Sequence, residues 1–301
     1  MNELAIGMIG LDTSHAITFT KLLNNRRETH HVQGGKVVIA YPGGSEDFEL
    51  SRTRVGKYTS ELRDMYGVSI VNEMETVAEK SDAILLESVD GRVHLEQLRR
   101  IIAFRKPIFV DKPFCLSSED AEEMIRLSDE HETPIMSTSA LRFHEGLQRV
   151  LADGHKKGEI IGADCFGPME VLPEQPGYFW YGIHAIEMLF TILGEGSKQV
   201  QAVNNEQHDL LVGEWQDGRI GTVRGNRKGN HEFGAVIHFE QGSEYVSTTT
   251  TGKPFYASLL EQIIEFIGDG KTRVPLSETR EIIRYIEAAN ESRVTGLKVF
   301  V

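Results

Sequence analysis

Leu4-Ala5-Ile6-Gly7-Met8-Ile9-Gly10-Leu11-Asp12-Thr13-Ser14-His15 decides the fold. Residues 4–10 form a continuous apolar run. A strand covered by helices on both sides of a parallel sheet has this pattern, because it has no wet face to alternate with. Gly10 stands where the chain must turn, and Thr13 and Ser14 stand where a helix starts, so the segment reads as strand, tight turn and helix. Working outward, similar apolar runs recur at 36–40, 68–71, 83–86, 107–110 and 134–136, each next to a stretch of helical period. That alternation predicts a doubly wound α/β domain whose six parallel strands are complete near residue 140. Asn72 with Glu75 and Ser117 with Asp120 have capping-box spacing, and Gly67 and Gly154 fall where helix C-caps belong.

Past residue 155 the punctuation changes. Asp217-Gly218 lies between two strand-like runs, the strongest short hairpin signal, and Glu240-Gln241-Gly242-Ser243 repeats it. The expected partner domain is α+β with a largely antiparallel open sheet, one face covered by helices at 183–193, 256–267 and 278–292. The domain boundaries are accordingly 1–140 and 141–301. A sheet face left uncovered suits a subunit contact, so a homodimer or homotetramer through this sheet is expected.

A chain of 301 residues is long for a single core, which agrees with two domains. Its 32 Lys+Arg against 45 Asp+Glu leave a formal charge of −13, a field that repels nucleic acid and anionic membranes. No apolar run approaches the roughly 20 residues of a membrane span. Two cysteines, Cys115 and Cys165, are too few for a disulfide framework, and the N-terminus shows no basic leader, so the cytoplasm is the expected location.

The first turn bears on function. A dinucleotide fingerprint places glycine at three positions, and here only Gly10 fits, with Asp12 and His15 at the other two. The amides and dipole at a helix N-terminus still attract a pyrophosphate, and Thr13 and Ser14 offer hydroxyls. Asp12 or Thr13 serves equally well as a simple N-cap. After the second strand comes Tyr41-Pro42-Gly43-Gly44-Ser45, without the acid that usually holds an adenosine ribose; Ser45, Arg52 or Arg54 suits a 2′-phosphate, which tilts the cofactor from NAD towards NADP. Ser88 and His94 flank the loop after the fourth strand, on the sheet edge where such ligands bind. The fifth strand ends in Asp111-Lys112-Pro113, which puts Lys112 at the same edge; a salt bridge is the alternative for an isolated lysine there. Tyr178, Trp180 and Tyr181 offer flat apolar faces with polar tips, suited to a sugar ring or to an aromatic cluster. Cys115 reads as a packed thiol. The remaining histidines lack metal-ligand spacing, so no metal is expected.

With these residues in view, the sequence resembles the Gfo/Idh/MocA oxidoreductases over nearly its whole length. Asp111-Lys112-Pro113 is similar to the family's Glu-Lys-Pro motif, Ser137-Thr138-Ser139-Ala140-Leu141-Arg142-Phe143 to the segment leaving the cofactor domain, and Gly182-Ile183-His184-Ala185-Ile186-Glu187 to a histidine-bearing helix start. The resemblance implies a Rossmann domain, NAD(P), and Lys112 and His184 flanking the substrate beside the nicotinamide. It implies hydride transfer from a secondary hydroxyl of a sugar or cyclitol, with Asp111 beside the cofactor and Arg142 near the substrate. Glu187, one turn after His184 on the same helical face, suits orienting it, and equally a capping or surface role. Two departures stand out: the degraded glycine turn, and Trp180 where many members have aspartate. They keep open a sensory member without catalysis, and the resemblance extends also to the family's branch of glycoside hydrolases that recycle their cofactor.

Overall fold

The computed structural model describes residues 3–249 and 252–301. The chain forms two compact units. The first comprises Met1–Cys115, Glu119–Thr138 and Tyr256–Leu276, and the second Leu116–Ser118, Ser139–Phe255 and Ser277–Val301.

In the first unit β1 (Leu4–Ile9), α1 (Ser14–Asn24), β2 (Gly35–Tyr41), α2 (Glu49–Tyr66), β3 (Ser69–Ile70), α3 (Met74–Glu79), β4 (Ala83–Leu86), α4 (His94–Ile101), β5 (Ile108–Val110), α5 (Ser118–Glu130) and β6 (Ile135–Ser137) alternate along the chain. The six strands are parallel, in the order β3-β2-β1-β4-β5-β6. Strand order reverses between β1 and β4, and ligands of such sheets bind beside that switch point, at the carboxyl ends of the strands. Every residue of β4, β5 and β6 is buried, as their uninterrupted apolar sequence requires. Gly7 lets α3 approach β1, since a Cβ there would stand 2.4 Å from Val77 Cγ1.

The second unit holds α6 (Glu145–Gly154), β7 (Ile160–Pro168), α7 (Gly182–Leu193), β8 (Ser197–Asn204), β9 (His208–Trp215), β10 (Ile220–Asn226), β11 (Gly234–Phe239) and β12 (Gly242–Ser247). After α8 (Phe255–Asp269) come α9 (Leu276–Thr295) and β13 (Val299–Phe300). Its seven strands run β12-β11-β7-β10-β9-β8-β13, antiparallel except for β7 with β10. Both expected hairpins form, with positive φ at Gly218 and Gly242. The covered face packs Phe190, Trp215 and Tyr285 into one aromatic cluster with ring centroids 5.5–6.2 Å apart. On the opposite face Val203, Val212, Ile220 and Tyr245 are exposed.

Three local expectations are corrected. α8 joins the first unit, where Ile264 packs on Gly34 and Gly35, instead of covering the second sheet. The chain thus crosses the expected boundary at residue 140 again near residues 256 and 276. Asn72 does not cap α3, whose N-cap is Glu73 without a side-chain bond. Gly154 is helical, with φ −63°, and its missing side chain makes room for the Phe239 ring; Gly67 is the C-cap expected, in the left-handed region.

Candidate active site

The turn after β1 is built by close approach. A Cβ on Gly10, at φ +89°, would lie 2.3 Å from Ser88 N, so only glycine lets the β1 turn meet the loop after β4. Gly43 lies beside it: a Cβ there would be 3.3 Å from Gly10 Cα. The Tyr41 and Pro42 carbonyls accept the Gly10 and Leu11 amides, which holds the β2 loop against the turn. Thr13 is the N-cap of α1 and accepts the His15 amide. The Ser88 hydroxyl is buried and has no hydrogen-bond partner among the described residues.

Asp12 is fully buried and turned into the protein. Its carboxylate accepts Ser51 Oγ at 2.6 Å and the Val89 amide at 3.0 Å, which ties α2 and the β4 loop to the turn. Burial pushes this carboxyl above its ordinary value, against the pull of those two hydrogen bonds. Asp12 therefore braces the cradle instead of offering its charge to a ligand. His94 departs from expectation in the same way. It is fully buried, with Nε2 2.8 Å from Ser88 O and Nδ1 3.0 Å from Pro113 O, so it joins two loops.

His15 reaches to the end of β5. Its Nδ1 is 2.8 Å from Asp111 Oδ2, its Nε2 is 3.1 Å from the Tyr256 hydroxyl, and its ring stacks on Phe19. Asp111 also accepts the Lys112 amide. Burial pushes Asp111 up, but His15 and Lys112 beside it hold its carboxyl below the usual range. The Lys112 side chain is largely buried, at 8% exposure. Next to this group lies Glu87, at 0% exposure. Burial and the neighbouring Asp111 push its carboxyl well above the ordinary value, and Lys112 opposes them. Sequence reasoning missed both Glu87 and Tyr256. Glu87 precedes Ser88 at the edge of β4, where an acid in an apolar run was the available signal; Tyr256 had none, because it lies 241 residues from His15.

The second unit carries its own cluster. His184, in the first turn of α7, is half-buried, with Nδ1 2.7 Å from Ser139 Oγ and its ring edge against Tyr181 and Phe233. Glu187 accepts the Ser139 amide at 2.9 Å and the Arg142 guanidinium at 3.3 Å, so it steadies His184 through Ser139. Arg142 also pairs with Glu278 at 2.7 Å. Its guanidinium lies between two buried carboxylates, a structural placement where substrate contact was expected. Tyr178 likewise belongs to the core: it is fully buried and donates to Asp209, itself paired with Arg227. Trp180 is also buried, and Tyr181 is half-buried, stacked on Phe233.

The first unit suits a dinucleotide. Gly10 and Gly43 form a cradle that side chains would fill, an unbonded Ser88 hydroxyl lies on it, and α1 begins there. Gly10, Ser14 and Ser88 are the groups that would hold the phosphates.

Residues 4–139 match the oxidoreductase family Gfo/Idh/MocA with its NAD-binding Rossmann fold. Inositol 2-dehydrogenase 2 of Mycolicibacterium vanbaalenii is 22% identical over 214 residues, 67% of this chain and 57% of that protein. The match thus spans little more than half of the relative. Among solved structures, scyllo-inositol dehydrogenase from Lactobacillus casei with NAD(H) and scyllo-inositol superposes with a TM-score of 0.81 at 14% identity, over 99% of each chain. Myo-inositol dehydrogenase of the same organism, with NAD(H) and myo-inositol, gives 0.79 at 14%, over 99% of this chain and 97% of that one. At such identity these likenesses establish the fold.

Proposed function

Because residues 4–139 match the Gfo/Idh/MocA oxidoreductase family, we propose that the chain is a member and that it moves hydride between a secondary hydroxyl of a sugar or cyclitol and a nicotinamide cofactor. The observation that carries this reading is the glycine cradle at the switch point, with the unbonded Ser88 hydroxyl on it and Lys112 at a neighbouring strand end. Bound nicotinamide supplies the hydride acceptor. The protein's part is the proton. As hydride leaves carbon, the hydroxyl must lose its proton to a base within hydrogen-bond reach. His184 takes that role, with Ser139 Oγ at its Nδ1 to fix the ring. The Lys112 ammonium stabilises the alkoxide charge that develops on the oxygen. The inositol dehydrogenases among the relatives support cyclitols as the first substrates to try.

NADP is the expected preference, because residues 41–45 carry no carboxylate to repel a 2′-phosphate. The neighbours solved with NAD(H) support the other choice. Calorimetric titration with both cofactors, followed by myo- and scyllo-inositol turnover read as net release of reduced cofactor, tests the proposal. Binding of one cofactor with net reduction supports it, and binding of neither refutes it. Turnover without net reduction points to the cofactor-recycling hydrolase. An association of two or four copies through the exposed sheet face of Val203, Val212, Ile220 and Tyr245 accompanies this reading, and light scattering measures it.

A further inference from the structure

We propose that His15 Nδ1 and one carboxylate oxygen each of Glu87 and Asp111 form a binding site for a divalent transition-metal cation within the first unit. These three ligand atoms lie within 4.8 Å of one another, and all three residues are buried. The His15 to Asp111 and His15 to Glu87 separations are 2.8 and 3.8 Å. A tetrahedral ion at about 2.0–2.2 Å from nitrogen and oxygen holds its ligands about 3.4 Å apart, so a small adjustment of side chains closes the site.

The independent sign of a ligand is Glu87. Neither of its carboxylate oxygens has a hydrogen-bond partner among the described residues, and the side chain is fully excluded from solvent. Buried acids are ordinarily satisfied, and one that is not has to be explained by an ion, a water or a function. Its Oε2 is directed at the His15 ring and away from solvent. The outer contact of His15 also fits: a metal-bound imidazole donates its other ring N–H to a fixed acceptor, and here Nε2 meets the Tyr256 hydroxyl. One imidazole with two carboxylates suits zinc or manganese better than calcium, which takes six to eight oxygens. Three ligands far apart in sequence, at 15, 87 and 111, leave no spacing motif, which explains why no metal was expected from the sequence.

The test uses the full chain without an affinity tag. Metal content is measured as purified, the protein is stripped with chelator, and Zn2+ and Mn2+ are titrated by calorimetry alongside thermal melts. One ion per chain is expected, with a melting temperature that rises on loading. Glu87→Gln, which keeps the shape of the side chain, should weaken binding about 100-fold, and His15→Gln by a similar factor. Each variant's fold is checked by near-ultraviolet dichroism. A silent titration of the stripped wild type overturns the proposal whatever the variants do. So does an ion that both folded variants bind as tightly as the wild type, because it then sits elsewhere. Cofactor titrations are independent of these readouts, so loss of the metal site and loss of the dehydrogenase reading are distinguishable.

Discussion

Two histidines, each near a carboxylate, differ in what their surroundings leave unmet. In the second unit the polar set closes on itself. Ser139 serves His184, Glu187 serves Ser139 and Arg142, and Glu278 takes the other side of the guanidinium. In the first unit His15 has Asp111 and Tyr256, yet the Glu87 carboxyl beside them has no hydrogen bond among the described residues. Such a network is a scaffold, and within it the His184 ring borders the aromatic rings of Tyr181 and Phe233. An open network marks a group still waiting for a partner, because desolvating a carboxyl without hydrogen bonds costs free energy that the fold must recover elsewhere.

The contrast can be broken at four points. The largest effect is on turnover. Lys112→Ala and His184→Ala should each lower kcat by about 10²–10⁴-fold, the range for a general acid or base, while cofactor affinity measured by calorimetry changes little. If both act in one step, the double variant falls well short of the product of the single losses. Next is Arg142→Ala, which removes the cation from between two buried carboxylates and should cost about 3–5 kcal/mol in chemical denaturation. The opposite sign is expected for Glu87→Met in chelator-treated protein. Replacing a buried, unbonded acid by an apolar side chain of similar volume should stabilise by about 1 kcal/mol or more. A loss there would mean that Glu87 is satisfied after all.

The smallest effect is a pH dependence at Asp12. Its native carboxyl titrates above the ordinary value of 3.8, because burial outweighs the hydrogen bonds from Ser51 and Val89. The folded state therefore keeps a proton that the unfolded chain releases. The stability this contributes is complete below the unfolded value and is lost as pH rises through the native one. Asp12→Asn has no such titration, so its stability relative to wild type should improve as pH rises above the ordinary carboxyl value of 3.8. Equal slopes in urea titrations over that rise in pH would contradict the assignment.

The extent to which the site could be read from sequence follows from how far apart its members lie. The positions of Gly10, Ser88 and Lys112 were legible because strand ends of a parallel sheet share one edge, and the apolar runs locate those ends. His94 and Arg142 were legible as positions but not as roles. Whether a ring nitrogen or a guanidinium faces a ligand or its own chain depends on partners such as Pro113 and Glu278, and no local pattern names them. Tyr178 misled for a related reason: an aromatic run looks the same whether its hydroxyl meets a sugar or Asp209.

By itself the sequence determined the six-stranded parallel sheet, the two hairpins of the second sheet and the sites of their glycines, since apolar period and turn chemistry act over a few residues. Only the tertiary structure decided that α8 packs with the first unit, that Asp12 turns inward, and that His15, Glu87 and Asp111 gather around one buried point. Those outcomes depend on contacts across tens to hundreds of residues. There burial and charge are settled by what the fold brings alongside, and the neighbours in sequence carry no record of it.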